Sequence, residues 1–374
     1  PFENVLDAMD PVEREIYRDK VIDQSTRRSF NFSNIRKRRT NTTKAQQPFD
    51  IENFSFTYAY NEVKRSNINT ASFDLKNYRS AINYAYQPKE WFIEPFKNSS
   101  GLDSPFLKLI KDINFNPVPN SFVFNGNVNR SFMKTQLRNA DLTTEGIDAY
   151  YEKSFTFDRS YALNWNLTRS LTFDYRANAM AIIDEPEGDI NTDIKRDSVK
   201  TNFWKMGRIK DFAQSININY RLPFDKLPVT DWLNSDINYS VNYGWKGGAI
   251  GQSDSLGNDI NNHREVAITG KIDMVKLYNK VGLLKKVNSP SRTRTRPTAR
   301  PPNDSTVVKK TIEDMKVAKG ILRVLMSLRN ITFNYDISQG TYLPGYTQDV
   351  FLFGLDKDFT NPGLGLSWEV KTPM

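Results

Sequence analysis

Cysteine is absent from the 374 residues, and His263 is the only histidine. The first absence removes disulfide frameworks and thiolate chemistry. The second leaves Ser-His-Asp and Cys-His arrangements without support, and a zinc site would have to be assembled from one imidazole and carboxylates. The glycines form neither a G-x-G-x-x-G turn nor a G-x-x-x-x-G-K-[ST] phosphate loop. Asp254, Asn258 and Asp259 fall in a glycine-containing stretch that could hold calcium weakly. That stretch lacks the ligand spacing and terminal Glu of an EF-hand, so ordinary loop polarity is the better reading. The expectation is a protein with no catalytic residues, no metal and no cofactor, and not an enzyme.

Long apolar runs are also missing. Hydrophobic residues make up 38% and the mean hydropathy is -0.60. Ile321 to Leu328 is the longest strongly apolar stretch, and Arg323 interrupts it. A transmembrane helix needs roughly 20 consecutive apolar residues, which excludes a helical membrane protein. A transmembrane barrel is not excluded, because its strands alternate between lipid and a polar interior. The opening Pro1-Phe2-Glu3-Asn4 has no basic start followed by an apolar core, so the chain is expected to be a fragment or processed product with its true beginning upstream.

What is abundant is aromatic. Phe, Tyr and Trp number 24, 17 and 6, and Tyr and Trp favour interfaces that are dry at one end of the ring and wet at the other. The formal charge of +9 sits largely in Arg36-Lys37-Arg38-Arg39 and in Lys285 to Lys310. Solvated loops are expected there, not a nucleic-acid surface.

The aromatics recur with period two. Phe54, Phe56, Tyr58 and Tyr60 alternate with Ser55, Thr57 and Ala59, and Ile82, Tyr84 and Tyr86 alternate with Asn83 and Ala85. Successive side chains of a strand point to opposite faces, so each set lines one face. From Phe155 to Ala181 the parity holds through Phe157, Tyr161, Leu163, Trp165 and Leu167 and resumes with Leu171, Phe173, Tyr175, Ala177 and Ala179. A single strand of that length would far outrun a bilayer, whose tilted crossing takes about 9–11 residues. Two strands are therefore expected, folded back at Thr168-Arg169-Ser170 in a short turn of the periplasmic kind. Ile216 to Leu222, Ile237 to Trp245 and Ile331 to Ile337 repeat the pattern, giving about ten to twelve strands in all.

On this reading Leu163, Trp165, Leu167, Tyr239, Val241, Tyr243 and Trp245 face lipid, and Asn164, Asn166, Asn238, Ser240 and Asn242 face a wet lumen. Trp165 and Trp245 could instead stack on sugars, but their parity with aliphatic neighbours favours lipid anchors. Polar loops are expected over Asp184–Asp211 and Lys246–Arg264. Ile272–Val287 and Thr306–Leu328 carry helical spacings on either side of a Ser-, Thr-, Arg- and Pro-rich linker over Ser289–Asn303, too polar to order itself. The expected divisions are a polar leading segment with the first strand over 1–50, transmembrane strands with polar loops over 51–270, a helix–linker–helix insertion over 271–329, and a further strand with a truncated end over 330–374.

Several segments carry a likeness beyond pattern. They are Asn4 to Pro11, Val21-Ile22-Asp23-Gln24-Ser25, Phe115-Asn116-Pro117-Val118-Pro119, Ile182 to Gly188, Leu222-Pro223-Phe224-Asp225-Lys226-Leu227-Pro228 with Asp231-Trp232, and Ser327-Leu328-Arg329-Asn330. Together they resemble the SprA/Sov family, the outer-membrane translocon of the type IX secretion system in Bacteroidetes. The resemblance spans residues from about 4 to 366 and includes no catalytic signature; Ser367 to Met374 looks less like the family.

The resemblance implies an all-β fold: the antiparallel wall of a very large transmembrane β-barrel with a small helical periplasmic insertion. It implies outer-membrane placement at the cell surface and export of folded cargo proteins, on which gliding motility depends in some members. Implied partners are outer-membrane lipid, the secreted cargo, and PorV-type shuttle and plug proteins, with no nucleic acid and no small-molecule substrate. Two alternatives share parts of the pattern: a smaller porin or nutrient-receptor barrel, and a secreted β-sandwich adhesin with one solvated face.

Overall fold

A computed structural model describes residues 9–40, 45–139, 147–248, 256–282, 284–285, 321, 324, 326–351 and 353–362. Its period-two segments become ten strands: β1 (Gln24–Ile35), β2 (Phe54–Ser66), β3 (Thr70–Tyr86), β4 (Ser121–Leu137), β5 (Tyr150–Thr168), β6 (Leu171–Ile182), β7 (Arg208–Leu222), β8 (Leu233–Lys246), β9 (Asn258–Asp273) and β10 (Asn330–Tyr346). Every strand pairs antiparallel with its chain neighbours, in one sheet ordered β1 to β10. The class is therefore all-β, with an open antiparallel meander and few helices. No described helix is long and apolar enough to cross a membrane, which says nothing about crossing by strands.

The local chemistry of the turns explains where strands stop. Between β2 and β3, the Asn67 side-chain oxygen accepts from the backbone N–H groups of Asn69 (3.0 Å) and Thr70 (2.7 Å), an Asx turn that closes the hairpin. Between β5 and β6 the turn is the expected one: Thr168 Oγ1 accepts from Ser170 N–H at 3.1 Å. Antiparallel alternation places this tight turn, the 87–120 connection and the β9–β10 connection at one end of the sheet, called the lower end below. The β4–β5, β6–β7 and β8–β9 connections and the segment after β10 lie at the upper end.

Two expectations about the connections need correction. The Asp184–Asp211 loop contains helix α2 (Asp193–Trp204), started by Thr192 Oγ1 accepting from Lys195 N–H; α1 (Pro11–Val21) precedes β1. The Lys246–Arg264 loop is shorter than expected, because β9 begins at Asn258. Asn258, Ile260 and Asn262 all point to one buried face, and their mixed polarity hid the strand. Helix α3 (Met274–Lys280) is capped by Asp273, whose side chain accepts from Lys276 N–H at 3.0 Å. It starts two residues later than expected, because Ile272 and Asp273 still pair with Ile331 and Asn330. The Ser289–Asn303 linker and nearly all of Thr306–Leu328 lie outside the described residues.

The principal core lies on one face of β6–β9. Tyr175, Ala177, Ala179, Ala181, Phe212, Ile216, Tyr243, Trp245 and Ile260 are closed over by the segment after β10, which contributes Val350. The described residues 347–351 and 353–362 thus form a strap across the upper end of the sheet.

Candidate functional site: an amide face and an aromatic face

Paired residues of an antiparallel sheet share a face, so the register assigns every side chain. One row reads Ser121, Asn164, Asp174, Asn217, Ser240, Glu265 and Ser338 from β4 to β10. Another reads Ser55, Asn83, Asn125, Ser160 and Asn178 from β2 to β6. This face is carpeted with amides and hydroxyls, and several bond across strands. Asn83 Nδ2 donates to Ser55 Oγ (3.3 Å), Asn125 Nδ2 to Ser160 Oγ (3.1 Å) and Asn164 Nδ2 to Asp174 Oδ1 (2.6 Å). Grooves of about 550 and 360 Å³ run along it, the first between Asn31, Asn61, Asn77 and Asn129, the second between Asn178, Ser215, Asn242 and His263.

The opposite face is aromatic and aliphatic. Trp165, Phe173, Ile218, Tyr239, Val266 and Ile337 form one row, and Phe54, Tyr84, Phe124 and Tyr161 begin another. Their rings touch from strand to strand, with Phe54–Tyr84 centroids at 4.8 Å and Phe124–Tyr161 at 5.1 Å. Much of the lower part of this face is uncovered: Ile82 is 44% exposed and Tyr335 58%. Its upper part on β2–β5 changes character. Glu62, Lys76 and Lys153 share one row, and Arg130 is held by Glu185 of the β6–β7 connection.

The residues singled out from sequence divide by face as their parity requires. Asn164, Asn166, Asn238, Ser240 and Asn242 lie on the amide face, none of them buried. Leu163, Trp165, Tyr239, Val241, Tyr243 and Trp245 lie on the aromatic face. Leu167 sits at a register shift beside the turn, and its carbonyl accepts from Asn116 N–H at 2.9 Å. Surroundings differ within the aromatic set. Leu163, Trp165 and Tyr239 are half-buried, whereas Val241, Tyr243 and Trp245 are buried, the last two within the core that Val350 closes. Trp245 Nε1 donates to Gln348 O and Gln214 Nε2 to Phe353 O, both at 3.2 Å. Tyr243 and Trp245 therefore pack against protein at their end of the strand, a contact between distant segments that local pattern does not encode.

Sequence reasoning also missed how the lower end is fastened. Trp165 Nε1 donates to Asn116 O (2.9 Å), and Asn114 Oδ1 accepts Arg169 N–H (2.8 Å), so the 87–120 connection clamps the β5–β6 turn. Phe115-Asn116-Pro117 was the available signal, since Asn116 is 1% exposed. Glu94, in the same connection, takes Lys97 and Arg169 as partners; the Lys97 hydrogen bond, ahead of the pull of Arg169, keeps its carboxyl below the usual range despite some desolvation.

Among the described residues no three His, Asp or Glu side chains gather as metal ligands. Asn258 is committed to structure, its side chain accepting from Gly248 N–H and donating to Gln348 O, and Asp254 lies outside the described residues. His263 lies on the amide face, 3.4 Å from Ser338 Oγ. No protein-family model matches the sequence, and none of the curated proteins matches it.

Proposed function

We propose that the chain is a stretch of wall of an outer-membrane β-barrel whose amide face lines a conduit for exported proteins. The observation that carries the wall is the meander itself: a single sheet, ten strands wide, amide and hydroxyl on one face and aromatic and aliphatic on the other. A barrel wall needs this division, because lipid accepts only apolar side chains and leaves backbone polar groups to pair between strands. A β-sandwich would place a second sheet about 10 Å above the apolar face. Here the ten strands of the described residues belong to one sheet, and the strap and α2 cover the aromatic face only near its upper end.

Strand length supports the same placement. The strands run from 12 to 19 residues, longer than the roughly 9–11 that a tilted crossing uses. Their upper ends would stand clear of the hydrocarbon, at the level of the headgroups and beyond, where Glu62, Lys76 and Lys153 and the strap are found. The protein-conducting role comes from the resemblance of the named segments to the SprA/Sov translocons, and the amide face suits it: its amides and hydroxyls offer a passing polypeptide no apolar grip, and the charges among them, Arg79, Asp174, Arg176 and Glu265, are of both signs.

The test is photocrosslinking during export. A benzophenone amino acid at Asn125 or Asn242 should capture secreted proteins, and the same group at Ile82 should capture lipid. Cargo captured equally from both faces, or from neither, would remove the conduit assignment.

A further inference from the structure

At the upper rim of the aromatic face a cavity of about 300 Å³ opens between the β6–β7 connection and the strap. Four cations line it, Arg159, Lys205, Arg208 and Lys357, against the carboxylates of Asp184 and Asp349. Arg159 is the buried member, 4% exposed. Its guanidinium stands 5.2 Å from the Phe157 ring centroid, Nη1 lies 3.0 Å from Met206 Sδ, and Nε has no hydrogen-bond partner. A ring face and a thioether are weak company for a buried cation, since neither brings a negative charge. Asp184 is engaged elsewhere, its carboxylate 3.4 Å from Arg208 and its carbonyl accepting from Asn202 Nδ2.

The backbone around the cavity is shaped for this arrangement. Met206 and Gly207 are successive left-handed residues (φ 65° and 69°) at the end of α2. That turn lays the Met206 thioether on Arg159, and a Cβ at Gly207 would stand only 2.7 Å from Ile182 O. A strained, non-glycine left-handed residue is thereby held beside a guanidinium that forms no ion pair with either carboxylate of the cavity.

We propose that this cavity binds a phosphoryl anion, with Arg159 as its buried ligand and Lys205, Arg208 and Lys357 around it. A guanidinium fork fits a tetrahedral oxyanion, and the converging cations favour a ligand with more than one negative charge. Two sources share that chemistry: a lipid headgroup phosphate at the bilayer surface, or a phosphorylated solute. Trp204, 80% exposed beside Lys205, suits the interfacial source. Only the lipid source rests on the membrane reading; binding of free phosphate does not.

The test is calorimetric titration of the chain in non-ionic micelles, at ionic strength fixed with chloride, using inorganic phosphate and then short-chain phosphatidic acid. Saturable binding is expected, weakened about tenfold or more by Arg159→Gln. Phosphatidic acid binding about tenfold tighter than phosphate assigns the lipid source, and equal affinities assign the solute. Should Arg159→Gln fail to fold, Lys205→Gln with Lys357→Gln supplies the same reading, since both side chains are exposed: weaker binding at an unchanged unfolding midpoint is expected. No saturable binding of either anion, or unaltered affinity in the variants, overturns the proposal.

Discussion

Ile82 and Asn83 are adjacent in β3 and face different surroundings, which makes them the sharpest pair for testing the membrane assignment. Ile82 is 44% exposed on the aromatic face, and Asn83 bonds to Ser55 on the amide face. In water a lysine at either position would change stability within about 0.5 kcal/mol. In a bilayer Ile82→Lys should destabilise by about 2–4 kcal/mol if it lies near the midplane, while Asn83→Lys should be tolerated. Denaturant unfolding from vesicles measures the difference, and equal tolerance would remove the lipid-facing assignment. Val241, the more obvious residue from sequence, is a poor probe: at 1% exposure a charge there is penalised in any solvent. A second residue prediction concerns Asn114, 8% exposed, which accepts the Arg169 N–H. Asn114→Ala should remove about 1–3 kcal/mol by orphaning that donor, and Asn114→Asp, which keeps an acceptor, should restore most of it.

The strap is the element whose behaviour follows least from its own sequence. Leu355 is 3% exposed, so Leu355→Ala should weaken docking by about 2–5 kcal/mol and raise hydrogen exchange across residues 347–361. Asp356 folds the strap's end back on itself. Desolvation pushes its carboxyl up, but hydrogen bonds from the Thr360 and Asn361 backbone and side chains outweigh this and hold it below its ordinary value. A depressed carboxyl contributes stability that is complete above the unfolded value of about 4 and is lost as pH falls through the folded one. Exchange protection over 353–361 should therefore fall below about pH 4. Asp356→Asn should flatten that dependence, and a pH-independent wild type would exclude it. Elsewhere legibility tracked polarity. The β5–β6 hairpin was readable because odd parity is apolar from Phe155 to Ala181 at every position but Arg159 and the turn residue Arg169. The upper halves of β3 and β4 were not, because Asp74, Lys76, Arg130 and Lys134 stand on the aromatic face and break the alternation there. Neither α2 nor the strap's cover over Trp245 had a periodic signature, because both are fixed by contacts between distant segments.

At the scale of the molecule the decisive feature is the pair of edges. Strands β1 and β10 each have one partner among the described residues, so each presents a row of backbone N–H and C=O groups on its outer side. Water satisfies such groups and hydrocarbon does not, at several kcal/mol for each left unpaired in lipid. Closing β1 onto β10 would satisfy them, but a ten-stranded barrel has an interior scarcely wider than its own side chains fill, far too narrow for a folded protein. A conduit of the proposed kind requires that both edges pair with further strands. The 374-residue chain alone, added to a planar bilayer, should therefore give no discrete conductance steps. Uniform steps would show that the sheet closes on itself, and would move the assignment to a small pore. The absence of native cysteine makes the closure directly measurable: with one cysteine in β1 and one in β10, at Asn31 and Asn334 on the amide face, the isolated chain should not form an internal disulfide. Efficient crosslinking within one molecule, together with steps, would make β1 and β10 neighbours and leave no place for additional wall.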